Sequence, residues 1–207
     1  MNRANLIEGT EMKNPVSICQ VGVAAGLVLL VLLSQLAAAG PGLDVSTAGF
    51  GDAKFGMDID TVERALGRGL ALNKGNSKAQ VRKMECSYAA LSDLPGVNLR
   101  FEKGRFMAVY VSRPTVATRS GFKVGDPERT VIDKLKTDPT YARDSNHYED
   151  SIKEITVGKT EVVGQGDKRK VLGHVIKFTS KQGRITEIQA GEAAWVTLFD
   201  QGEVCDE

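Results

Sequence analysis

Few residues in this chain could do chemistry. It carries two histidines, His147 and His174, and three cysteines, Cys19, Cys86 and Cys205. His147 stands in Asp144-Ser145-Asn146-His147-Tyr148-Glu149-Asp150. There Asp144, His147 and Glu149 offer carboxylate oxygens and one imidazole nitrogen, ligand types that suit a divalent cation. Their spacing matches no metal-binding loop, so a solvated acidic loop is the plainer reading, and neither metal nor cofactor is expected. His174 follows Gly173 at the start of an alternating segment and reads as structural or solvent-facing. A Ser-His-Asp site would have to recruit one of these two imidazoles. No glycine-rich phosphate loop follows a strand, and neither CxxC nor HExxH occurs. No pair of acids is set apart by context for glycosidase work. The run Asp167-Lys168-Arg169-Lys170 reads as a solvated turn. The expectation is therefore a chain with no catalytic residue.

Composition narrows the classes further. Of 207 residues, 42% are hydrophobic and 26% charged, which is too apolar for a disordered chain. Lys plus Arg number 27 against 26 Asp plus Glu, a formal net charge of +1. A nucleic-acid binder normally carries a basic excess to displace counterions, so no nucleic acid is expected.

The first 39 residues read as a signal peptide. The apolar stretch Val21–Leu33 has the length of an h-region and is shorter than a membrane span, and Ala37 and Ala39 fit the small-x-small cleavage rule. Lys13 gives the preceding positive charge; a start at Met12 would give a more ordinary n-region than Met1, which is followed by Glu8 and Glu11. Export makes the protein periplasmic or secreted, with no membrane span after cleavage. Cleavage leaves Cys86 and Cys205, and an even pair in an oxidising compartment reads as a disulfide. It would close a loop of about 120 residues, worth roughly 4–5 kcal/mol in the chain-entropy account.

The elements that must position these residues show a pattern used twice. Gly56-Met57-Asp58-Ile59-Asp60-Thr61-Val62-Glu63-Arg64-Ala65-Leu66-Gly67 opens the first copy, and Gly125-Asp126-Pro127-Glu128-Arg129-Thr130-Val131-Ile132-Asp133-Lys134-Leu135 the second. Each reads as a helix: Asp58 and Asp126 as caps, Pro127 at the first helical position, Ile59, Val62 and Leu66 on one face, Gly67 as the left-handed stop. Each is followed by a hairpin pattern, Val97–Val111 and His174–Ile188, in which an apolar–basic–Phe triplet (Leu99-Arg100-Phe101, Ile176-Lys177-Phe178) leads to a turn and an alternating strand. Leu99 and Phe101 point one way and Arg100 the other, and Lys177 repeats this. The second copy carries extra residues between Tyr141 and Gly166. The expected fold is α+β: two tandem helix-plus-antiparallel-sheet repeats, 40–113 and 114–207, packed as one unit with one disulfide.

The opening Gly56–Gly67 resembles the first helix of the small outer-membrane assembly lipoprotein family (SmpA/OmlA-like), and a tandem, disulfide-tied pair of such units is similar to the beta-lactamase inhibitory proteins. In the second copy Lys136 stands where the closing glycine would be. The resemblance implies a scaffold that binds other proteins, with the partner left open because such folds share a framework and not a surface.

The remaining candidate is apolar. Trp195 and Phe199 share one face of a last strand, Trp195–Phe199, with Val196 and Leu198 on the other. The pair is either core or, if exposed, the anchor for a protein partner. The sequence thus points to an exported non-enzymatic protein-binding module, an inhibitor or immunity-type protein of an envelope hydrolase. The alternatives are a structural accessory of envelope or outer-membrane assembly and a hydrolase whose site is not recognisable.

Overall fold

Two tight turns set the framework. Lys103 and Gly104 have φ 48° and 76°, and Gln182 and Gly183 have φ 53° and 76°. Two consecutive left-handed residues make the turn whose twist matches paired strands. They join β6 (Val97–Glu102) to β7 (Arg105–Val111), and β10 (Lys170–Lys181) to β11 (Arg184–Glu192). The computed structural model describes residues 42–145, 152–164 and 170–198. The segment 1–39, expected to be a signal peptide, lies outside them.

The hairpins are not housed in separate units. The sheet contains β4 (Leu70–Leu72), β5 (Ser87–Leu91), β8 (Ala142–Ser145) and β9 (Ile152–Val163) as well. It runs β4-β5-β6-β7-β11-β10-β9-β8, eight strands, antiparallel at every pairing. The central seam is β7 against β11, with Val111 opposite Ile188 and Ala108 opposite Gly191. The expectation of an α+β protein made of two tandem helix-plus-sheet repeats is therefore wrong: this is a mostly β chain built on one continuous sheet. The reason is physical. Each hairpin leaves an open strand edge, and joining β7 to β11 satisfies both rows of backbone groups at once. The extra residues of the second stretch supply β8 and β9, which extend that sheet. No disulfide joins two described residues, because Cys86 is the only cysteine among them and Cys205 lies outside.

One face of the sheet holds the main core. Leu99, Phe101, Val109, Val111, Ile155, Phe178, Ile188 and Ala190 are buried there. Above them lie α1 (Ile59–Leu66), through Ile59, Val62 and Leu66, α3 (Glu128–Leu135), through Val131, and the small sheet β1 (Val45–Ser46), β2 (Gly49–Phe50), β3 (Ala53–Lys54), through Val45, Phe50 and Ala53. Burying a Phe side chain is worth roughly 1.5–3 kcal/mol, and Phe50, Phe101, Phe106 and Phe178 are fully buried. Among the described residues no helix is long and apolar enough to cross a membrane.

Both main helices start on a hairpin turn. The N–H of Ile59 donates to the Gly104 carbonyl and that of Glu128 to the Gly183 carbonyl, each at 2.9 Å. The N–H of Gly56 reaches Phe106 O at 2.7 Å, and that of Gly125 reaches Ile185 O at 2.8 Å. Arg105 donates back to Gly56 O and Arg184 to Gly125 O. Helix amides that have no partner inside the helix thus find one on the sheet. Asp58 caps α1 through the N–H groups of Asp60 and Thr61, and the Thr61 hydroxyl helps hold its carboxyl below its ordinary range. Gly67 closes α1 at φ 60°. Asp126 does not cap α3: the cap position is Pro127, with no side-chain bond, and the Asp126 carboxylate accepts from Lys123 N–H instead. The short α2 (Lys78–Val81) carries a reciprocal Ser77–Gln80 cap and presses Arg82 onto the first turn.

That last contact separates the two turns. A Cβ on Gly183 would meet nothing within 4 Å, whereas one on Gly104 would lie 2.7 Å from Arg82 Cγ and 3.1 Å from Arg82 Cα. Gly183→Ala should cost about 1–2 kcal/mol, the left-handed penalty alone, and Gly104→Ala measurably more. Urea unfolding of the two variants checks this; equal losses would show that α2 yields freely.

Candidate functional site

The opposite face of the sheet is unlike the first. A row across it reads Tyr88, Arg100, Ala108, Gly191, Val175, each in register with the next. Its middle has no room to fill: a Cβ on Gly191 would lie 2.4 Å from Met107 O and 2.6 Å from Ala108 Cβ. Into this low centre fits a π-helical turn, Ala194–Leu198, with Ala193 and Val196 packed on Ala108 and Val175. The Thr197 hydroxyl donates to Ala193 O at 2.7 Å and helps fasten the turn. The expected strand at Trp195–Phe199 is thus corrected for its described residues to a helical turn, because its apolar side chains find a hollow to plug rather than a strand edge to extend. Phe199 lies outside the described residues.

The turn sets Trp195 against β6. Its half-buried ring lies under the Arg100 guanidinium, 4.0 Å from ring centroid to Cζ. Tyr88, half-buried, approaches the same guanidinium at 5.8 Å and meets Tyr110 edge-on at 5.9 Å. Burial pushes the Tyr110 phenol above its ordinary range, with Arg100 opposing. Arg100 itself is only 5% exposed. Its Nε is sealed from solvent without a hydrogen-bond partner, and among the described residues no carboxylate pairs with it. Stacking on aromatic faces is worth roughly 0.5–2 kcal/mol, which offsets part of the cost of burying a charge.

Lys177, the basic residue of the similar triplet in the second hairpin, lies on the same face opposite Gln189, two residues farther from its turn than Arg100, and there the fold supplies a counterion. Its Nζ lies 3.0 Å from Glu154 Oε1, with the lysine side chain 4% exposed. Beside it Glu187 accepts from Gln189 at 3.1 Å, and burial raises the Glu187 carboxyl above its ordinary range. Glu154 and Lys177 line a groove of about 590 Å³ together with Thr156, Thr160, Val175 and Thr197.

Of the residues singled out in the sequence, the structure brings only Trp195 into this site. Asp144 falls on β8 in register with Glu154, while His147, Glu149 and Cys205 lie outside the described residues. Among the described residues no three His, Cys, Asp or Glu side chains converge on a possible metal position. His174 is exposed and stacked on Phe55 at 5.4 Å. Arg100, Tyr88, Tyr110 and Lys177 were not foreseen as site residues. The signal was present, since both hairpins carry a basic residue between an apolar residue and Phe, but alternation says only that the base faces away from the core. What covers it comes from residues 193–198. No protein-family model, curated protein or solved structure matches this chain.

The two cations should respond differently to removal. Arg100→Met takes away an unpaired buried charge and keeps an apolar stem on Trp195, so stability should change by no more than about 1 kcal/mol. Lys177→Met strands Glu154 beside Glu187 and should cost about 1–3 kcal/mol. Denaturant unfolding decides; equal losses would make Arg100 a structural residue. Glu187 gives a pH test. Because its folded value is raised above 4.5, the folded chain holds that proton more tightly than the unfolded one, so stability declines as pH rises through the range between the two. Glu187→Gln should therefore gain stability relative to the parent as pH rises out of the ordinary carboxylate range; a constant difference would contradict the burial of the carboxyl.

Proposed function

We propose that this chain is an exported, non-enzymatic protein-binding module that acts as an inhibitor or immunity-type protein of an envelope hydrolase. One observation carries the reading: the half-buried Trp195 and Tyr88 frame a guanidinium that has no carboxylate partner among the described residues. Trp, Tyr and Arg are the side chains that dominate interface energies when a partner desolvates them. Here they are already held in place by β5, β6 and the 194–198 turn, so little ordering entropy remains to be lost on association. The apolar leader with Ala37 and Ala39, and the likeness of Gly56–Gly67 to envelope lipoproteins, support the envelope setting.

Affinity capture from native envelope extract tests the reading. Tagged 40–207 should retain one stoichiometric partner, and a Trp195→Ala/Phe199→Ala version with verified fold should lose it. Equal capture by both, or weak retention of many envelope components, would overturn the inhibitor reading.

A further inference from the structure

A buried charge without a counterion needs a reason, because leaving it unpaired costs more than replacing it with an apolar side chain of similar shape. Each hairpin buries one cation on this face of the sheet, Lys177 two residues farther from its turn than Arg100, and the fold treats the two oppositely. Lys177 is matched by Glu154 at 3.0 Å. Arg100, 5% exposed, has an orphaned Nε and no ion-paired carboxylate among the described residues. Its guanidinium carbon lies over the Trp195 ring, 4.0 Å from the centroid. Stacking occupies the face of the guanidinium and the Tyr110 hydroxyl engages it by a hydrogen bond, which leaves its remaining in-plane N–H groups for a planar, two-oxygen acceptor. A carboxylate has that shape, carries the single charge required, and makes the strong paired bonds of an arginine fork.

We propose that Arg100 is the receptor for a carboxylate presented by an acidic side chain of a protein partner, with Trp195 and Tyr88 as the walls of the socket. This rests on the protein-binding reading above and names the chemistry by which the partner is recognised. Charge complementarity is the argument: the socket offers one positive charge that nothing described in the chain neutralises. A partner with a neutral or basic residue at that point would leave the guanidinium buried and unpaired, so the socket selects as well as binds.

Trp195 is the only tryptophan, so its fluorescence reports this site alone. The purified full chain is titrated with acetyl-aspartate N-methylamide and, at equal ionic strength, with acetyl-asparagine N-methylamide. A saturable change with the aspartate derivative is expected, weaker by about tenfold or more with asparagine, and by the same factor in Arg100→Met. The asparagine arm uses the parent chain and does not depend on how the variant folds. Equal responses to the two probes, or an Arg100→Met response equal to the parent's, would overturn the proposal. A response that emerges only after Asp200, Glu203, Asp206 and Glu207 are all changed to their amides would overturn it too, by assigning the carboxylate to the chain's own C-terminal residues. The readout needs no natural partner. A positive titration with a failed capture rejects the inhibitor reading alone, and a negative titration with a successful capture rejects only the carboxylate.

Discussion

The seam between β7 and β11 is the constraint on which the rest of the structure depends. At that seam Ala108 faces Gly191 so closely that no further atom fits on the glycine. Close approach of the two backbones makes one sheet out of two hairpins. It also gives that sheet two faces of different character. One is filled by helices and buried aliphatic and Phe side chains. The other has small residues at its centre, where the 193–198 segment plugs in, and polar residues to either side. Were either seam residue large, the turn would have no seat and Trp195 no fixed position.

From that arrangement follows the contrast between Arg100 and Lys177. Both sit on the second face, one on each side of the seam, and both are buried there by what lies across them. The Lys177 side is electrostatically closed, with Glu154 as counterion and Glu187 kept above its ordinary range by burial. Among the described residues the Arg100 side is balanced by aromatic faces and the Tyr110 hydroxyl, which soften a positive charge and do not cancel it. A surface of this kind is stable while free and still has something to gain from a partner.

Much of the local structure was legible in the residues. The Ile59-Val62-Leu66 stripe, the Asp58 cap and the Gly67 stop are local devices found as read, whereas the two turns, expected at Gly104-Arg105 and Gly183-Arg184, fall one residue earlier at Lys103-Gly104 and Gln182-Gly183. The chain pattern hid what depends on distant partners. Whether two hairpins make two sheets or one is decided by edges some 80 residues apart in sequence, β7 at Arg105–Val111 and β11 at Arg184–Glu192. Trp195-Val196-Thr197-Leu198 carries strand-forming residues yet coils, because the hollow over Ala108 and Val175 accepts Val196 only in that form. Asp126 looked like a helix cap, but Pro127 takes that position and the turn at Gly183 satisfies the helix amide. The burial of Arg100 was invisible for the same reason: its cover arrives from the far end of the chain.

The central claim is that the free protein holds Arg100 charged, sealed at Nε and stacked on Trp195. Nitrogen-15 NMR of the arginine Nε–Hε group tests it most directly. The account predicts one arginine signal moved from the common position by the ring current of Trp195, exchanging slowly with water, and returned to the common position by Trp195→Ala. An Arg100 signal at the ordinary position, exchanging as fast as those of exposed arginines, would contradict the account.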